Sequence, residues 1–165
     1  LYDDPVGVLT NNPPFPFHQL NLRQYQHLTA RPTENRLAPA LPLGAFGQGM
    51  GAIGLPGDAS PASGYVRAAS CKLNAPDPGG ELERVSDFFH LLDAVAMVRG
   101  SVLTPEGKWD MTTYACCFSA GAGTYYYKPH GNSRLSAVRL AGADLDSGEV
   151  QLFPLCREED VRMLN

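Results

Sequence analysis

Asn11 is the residue of this sequence best placed to do chemistry. It closes a short apolar run, Val6-Gly7-Val8-Leu9-Thr10, and is followed by Asn12-Pro13-Pro14. A side-chain amide held there by proline-restricted backbone can donate to a developing oxyanion. The alternative is that Asn11 and Asn12 hydrogen-bond the turn they occupy. The usual nucleophile constellations are missing from the pattern. His18, His27, His90 and His130 lie far from evident partners in sequence, and His90, beside Phe89 and Leu91, reads as a packed helix histidine. Asp58 precedes a helix cap and reads as structural. Ser119 sits in FSAGAG, which is no GxSxG elbow. Cys71, Cys116, Cys117 and Cys156 have no CxxC or Cys–His spacing and read as buried free thiols rather than zinc ligands.

The elements that position these groups can be read from period and punctuation. Val6–Thr10 predicts a strand. Pro13, Pro14 and Pro16 argue against a helix start there, so Phe15–Leu22 is expected as an irregular cleft cover, with a short helix over Leu22–Leu28. Residues 30–43 read as an irregular loop. Glycines at 44, 47, 49, 51, 54 and 57 imply close backbone approach and positive φ. They match no phosphate-loop pattern. Ser60 and Pro61 start a helix whose apolar stripe is Tyr65, Val66, Ala69 and Leu73. A second helix is expected from Val85 or Ser86 to Gly100, buried through Phe88, Phe89, Leu92, Val95 and Ala96. The period then shortens. Strands are expected over Lys108–Phe118, Thr124–Lys128, Leu135–Leu140 and Val150–Leu155. That order predicts an antiparallel sheet with helices on one face.

Composition bounds the reading. The chain has 165 residues, 44% of them hydrophobic and 18% charged, with a formal net charge of −4. Disorder, a membrane-spanning chain and an electrostatic nucleic-acid partner all fit poorly. The first residues carry no signal-peptide pattern, and Leu rather than Met at position 1 is read as a processed, trimmed or partial chain.

A resemblance then enters. Gly7-Val8-Leu9-Thr10-Asn11-Asn12-Pro13-Pro14-Phe15 resembles the TNxPxF signature of the choloylglycine hydrolase family, which includes bile salt hydrolases and penicillin V acylases. Asn21–Tyr25, Gly49–Asp58 (G-x-G-x-x-G-x-P-G-D), Tyr65–Ala69, Phe88–Leu92, Thr124–Tyr127 and Leu145–Val150 follow in the family's order. The resemblance covers essentially the whole chain. It implies an α+β, four-layer αββα N-terminal nucleophile hydrolase domain, of which residues 1–165 form the C-terminal portion. It implies that a mature N-terminal Cys attacks a linear amide, with its own α-amine as base and no metal or organic cofactor. The TNNP, GLPGD and YYY forms favour conjugated bile salts as substrates over penicillin V.

By the same resemblance, Asn11 matches the oxyanion-hole Asn, and Asn12 is a substrate-binding candidate. The family's nucleophilic Cys, the Arg and Asp after it and a further Asn have no counterpart here. Gly64 stands where the family's SRFVR segment carries its active-site Arg. Arg67 matches the second Arg of that segment and is a catalytic candidate, three residues along the same helix. The expected partners are the missing N-terminal half, conjugated bile salts and further copies of the complete protein in a tetramer. Nucleic acid and membrane are not expected, and the expected location is cytoplasmic. Alternative readings are a penicillin V or other N-acyl amide hydrolase, and a non-catalytic bile acid-binding homologue.

Overall fold

The computed structural model describes residues 2–165. The chain forms two compact units, one running to Asp77 and one from Pro78 to Asn165.

The first unit is built on two helices. Helix α1 (Phe15–Leu22) begins directly after the prolines, contrary to the sequence expectation. Pro14 keeps the extended N-cap conformation, and Pro16 sits in the first turn, where a missing N–H removes no intrahelical bond. The chain continues as a 3₁₀ turn, Arg23–Tyr25, shorter than the expected Leu22–Leu28 helix. Helix α2 (Pro61–Asn74) starts as its sequence dictates: the Ser60 hydroxyl accepts from the Ser63 N–H at 3.3 Å, and Pro61 opens the helix. Tyr65, Val66 and Ala69 are at most 1% exposed and form the core. Leu73 departs from the expected stripe and is mostly exposed. Helix α1 packs on α2, with His18 stacked on Tyr65 at a ring separation of 4.5 Å.

Residues 30–43 are irregular, as expected. Asn35 braces them, its amide donating to the carbonyls of Ala38 and Leu41 at 2.7 and 2.8 Å. In the glycine-rich segment, Gly49 and Gly54 take positive φ, and Gly51 lies so close to the Thr29 and Arg31 carbonyls that no Cβ fits. Val6–Thr10 is not a strand. An isolated extended run needs a neighbouring strand to satisfy its N–H and C=O groups, and none pairs with it among the described residues.

The second unit is helix α3 (Glu81–Asp93) on a meander. The helix starts about one turn earlier than expected, where Glu81 and Glu83 favour the positive end of its dipole, and stops at Asp93 well short of Gly100. Val85 and Phe89 are its buried residues, whereas Phe88 and His90 are exposed. His90 is therefore no packed histidine. A hairpin of β1 (Val102–Leu103) and β2 (Trp109–Asp110) turns at Pro105–Gly107. The expected long strand is broken after Asp110, because Thr112 bonds to Met97 through both its N–H and its hydroxyl.

Strands β3 (Tyr114–Ser119), β4 (Thr124–Pro129) and β5 (Ser136–Arg139) form an antiparallel sheet in that order, with Cys116 opposite Tyr127 and Tyr126 opposite Ala137. Helix α3 covers one face. There the Tyr126 hydroxyl donates to Glu81 at 3.1 Å, and Lys128 pairs with Asp93 at 2.7 Å beneath the Phe89 ring. The opposite face carries Tyr114, Phe118 and Tyr125, which are 58%, 52% and 40% exposed. A cleft of about 530 Å³ lies on that face, lined by those two tyrosines together with Tyr127, Val138, Phe153 and Leu155. Residues 150–155 are irregular rather than a strand, held by the Tyr127 hydroxyl donating to the Pro154 carbonyl at 3.1 Å. Cys71, Cys116 and Cys117 are half-buried and Cys156 is exposed, so the four thiols are free but not the buried group the sequence suggested.

Candidate active site

Asn11 and Asn12 are exposed, immediately before the proline turn that leads into α1. Among the described residues no hydrogen bond ties either side chain to the turn, so the amides do not serve as turn caps. Ahead of them, Gly7 takes φ +64°, and its N–H donates to the Asp4 carboxylate at 2.9 Å. Helix α2 reaches this segment through Lys72. Its ammonium donates to the carbonyls of Val6 and Gly7 at 2.7 and 2.9 Å.

Gly64 and Arg67 lie on α2, separated by about one turn. Gly64 is half-buried in ordinary helical backbone, and a Cβ built on it meets nothing within 4 Å. Arg67 turns toward the loop before its own helix, donating to the Pro56 carbonyl at 3.0 Å and the Asp58 carbonyl at 2.7 Å. Its guanidinium thus braces the Leu55–Asp58 segment.

Asp58 is a structural anion. Its carboxylate accepts from the Ser60 N–H at 2.9 Å and from the Ser63 hydroxyl at 2.6 Å. Hydrogen bonds from Ser60 and then Ser63 hold its pKa well below the usual carboxylate range. Ser119, the other serine considered, accepts a weak turn hydrogen bond from the Ala122 N–H at 3.4 Å.

Two groups escaped sequence reasoning. Lys72 acts on residues 65 and 66 positions away in the chain, a separation that no local pattern signals. His18 is completely buried, with neither ring nitrogen hydrogen-bonded, beside a Tyr65 hydroxyl that is also unpartnered. Burial and the negative charge of Asp4 push the Tyr65 phenol above its ordinary pKa. On the second unit, Tyr125 is pushed up to about 12, chiefly by a hydrogen bond with Cys116.

The chain resembles the N-terminal nucleophile hydrolases in fold. The chain belongs to the linear amide C–N hydrolases of the choloylglycine hydrolase family, whose sequence profile matches residues 1–153. It is 39% identical over all 165 residues to a bile salt hydrolase/transferase of Lactiplantibacillus plantarum and 35% identical to one of Clostridium perfringens, and it covers 51% and 50% of those proteins. It therefore spans about half the length of the curated relatives it matches. A crystal structure of a mutant conjugated bile acid hydrolase from Clostridium perfringens superposes on 99% of the chain with a TM-score of 0.87 at 36% identity, and the chain covers 50% of it. A penicillin V acylase from Agrobacterium tumefaciens shares the fold over 83% of the chain, with a TM-score of 0.60 at 15% identity and 37% of its own length covered. Among the described residues no helix is long and apolar enough to cross a membrane.

Proposed function

We propose that residues 1–165 are the C-terminal portion of a single αββα domain. In this reading the full-length protein hydrolyses the amide bond of glycine- or taurine-conjugated bile salts. The observation that carries this reading is the superposition on a conjugated bile acid hydrolase over 99% of the chain, with Asn11 exposed beside its proline turn. The N-terminal portion contributes the nucleophilic Cys and the second sheet that covers Tyr114, Phe118 and Tyr125.

The chemistry follows from the groups such a site needs. The Cys thiol gives its proton to its own α-amine, whose pKa of about 7.7–8.0 suits a base near neutral pH. The sulfur attacks the amide carbonyl, and the carbonyl electron pair moves to oxygen. The Asn11 side-chain N–H donates to that oxyanion. Collapse breaks the C–N bond, the departing amine takes the proton, and a thioester remains. Water then releases the bile acid and restores the thiol. Asn12 borders the bound substrate. Each role is filled by protein groups and water, so the reaction as written needs no metal or organic cofactor. The working protein is a cytoplasmic homotetramer, with neither nucleic acid nor membrane as a partner.

Gly64 favours one competing reading, a homologue that binds bile acids without turning them over, because no guanidinium stands at that position. Arg67 is a weaker catalytic candidate, since two of its hydrogen bonds go to the 56–58 loop. The test is to incubate the full-length protein with glycocholate, taurocholate and penicillin V and measure the released amine by mass spectrometry. Release of glycine or taurine is expected. Binding of bile salt without release supports the binding homologue, and turnover of penicillin V alone supports the acylase reading.

A further inference from the structure

We infer that Lys72 is a positioning residue for Asn11, an inference that rests on the proposed role of Asn11. Among the described residues no strand pairs with the apolar run ahead of Asn11. Its fixed point is four residues upstream, where the two consecutive carbonyls of Val6 and Gly7 converge on one ammonium. Gly7 takes left-handed backbone at this point, with φ +64°, a conformation open to glycine at little cost. The Gly7 N–H is held in turn by both the side chain and the backbone carbonyl of Asp4. The positive φ favours glycine at position 7, and a Cβ there would meet the Lys72 ammonium and displace it from its carbonyls.

Downstream, Pro13 and Pro14 restrict the chain until α1 begins, and α1 itself packs on α2. Asn11 is therefore suspended between two anchors that both bear on the same helix. Four residues of extended chain span at most about 13 Å, so a clamp at Gly7 limits where Asn11 can stand. An oxyanion donor works by being in place before charge develops, and a small misplacement is costly. Lys72 touches no reacting atom; it acts through the backbone it holds.

The test uses the full-length protein with Lys72→Met, Lys72→Arg and Asn11→Ala. Hydrogen exchange is read over residues 8–12 and over the α2 core at Val66–Ala69, with turnover of glycocholate alongside. Lys72→Met is expected to speed exchange over 8–12 at least tenfold, leave Val66–Ala69 unchanged, and lower kcat about tenfold with little change in KM. Lys72→Arg, which still offers donors to both carbonyls, is expected to restore most of both. Unchanged exchange over 8–12 in Lys72→Met, or equal loosening of α2, overturns the clamp. Turnover that survives Asn11→Ala, or is absent from the parent, overturns the role of Asn11 and the catalytic purpose of the clamp with it. Exchange thus reports on Lys72 and Asn11→Ala reports on Asn11, and the two failures are told apart.

Discussion

Replacing Gly64 by Arg in the full-length protein separates two effects that the structure keeps distinct. Gly64 lies in the first half of α2, outside the left-handed region, with open space where a Cβ would stand. Glycine in a helix costs about 0.8–1.0 kcal/mol relative to alanine, while arginine is among the good helix formers. Gly64→Arg should therefore stabilise the protein by about 0.7 kcal/mol, raising Tm by about 2 °C. A hydrogen bond to a charged group is worth about 1.5–3 kcal/mol. If the restored guanidinium reaches the reacting groups, kcat/KM for glycocholate should rise about tenfold to hundredfold. Gly64→Ala is the control: it carries the helix gain without the guanidinium, so its Tm should rise and its turnover should not. Differential scanning fluorimetry and glycine release measure the two quantities. A fall in Tm would show that the space at Gly64 is not open. A rise in Tm with no gain in turnover would refute the reasoning that the missing guanidinium limits catalysis.

Other outcomes follow from single contacts. Asp58→Asn should lower Tm at neutral pH. The folded-state pKa of Asp58 is depressed, so its contribution is full above its unfolded value of about 3.9 and is lost as pH falls through the folded one. The Tm difference should accordingly shrink below about pH 4, and a difference constant from pH 7 to 3 would contradict this. His18→Phe should be near-neutral or mildly stabilising, because both nitrogens are buried without a partner while the ring stacks on Tyr65. A loss beyond about 2 kcal/mol in urea unfolding would reveal a hydrogen bond made by His18 in the full-length protein. Gly51→Ala should destabilise by about 1–3 kcal/mol, since the methyl meets the Thr29 and Arg31 carbonyls rather than a movable side chain; a wild-type Tm would count against it. Lys128→Met should cost no more than about 1 kcal/mol in chemical denaturation, as Asp93 is half exposed and the Phe89 contact is 5.7 Å long.

Local signals were legible wherever a residue acts on its near neighbours. Ser60 and Pro61 announce α2, and the structure starts the helix there. The aromatic and β-branched stretches Lys108–Phe118 and Thr124–Lys128 announce a hairpin, and the structure pairs Phe118 with Tyr125, although the first strand begins only at Tyr114. The prolines before α1 misled for an instructive reason: a proline that blocks a helix interior is harmless in the first turn, and only the position of the N-cap distinguishes the cases. His90 misled because its apolar neighbours in sequence say nothing about which side of α3 meets the sheet.

The order of the motifs, from TNNP through GLPGD to YYY, is a property of the sequence alone, and it carried the family. The departure at Gly64 from the motif the sequence resembles is likewise legible in the sequence alone. Tertiary structure decided what depends on a partner across space. Val6–Thr10 and Val150–Leu155 have strand composition but form no strand, because a ladder requires a second strand at hydrogen-bonding distance. Arg67 braces a loop, His18 is sealed against Tyr65, and Lys72 clamps Gly7 because helix α2 brings residues distant in sequence within bonding reach. Propensity and capping act over a few residues of chain, whereas burial and long-range hydrogen bonds are set by what the folded chain lays against them.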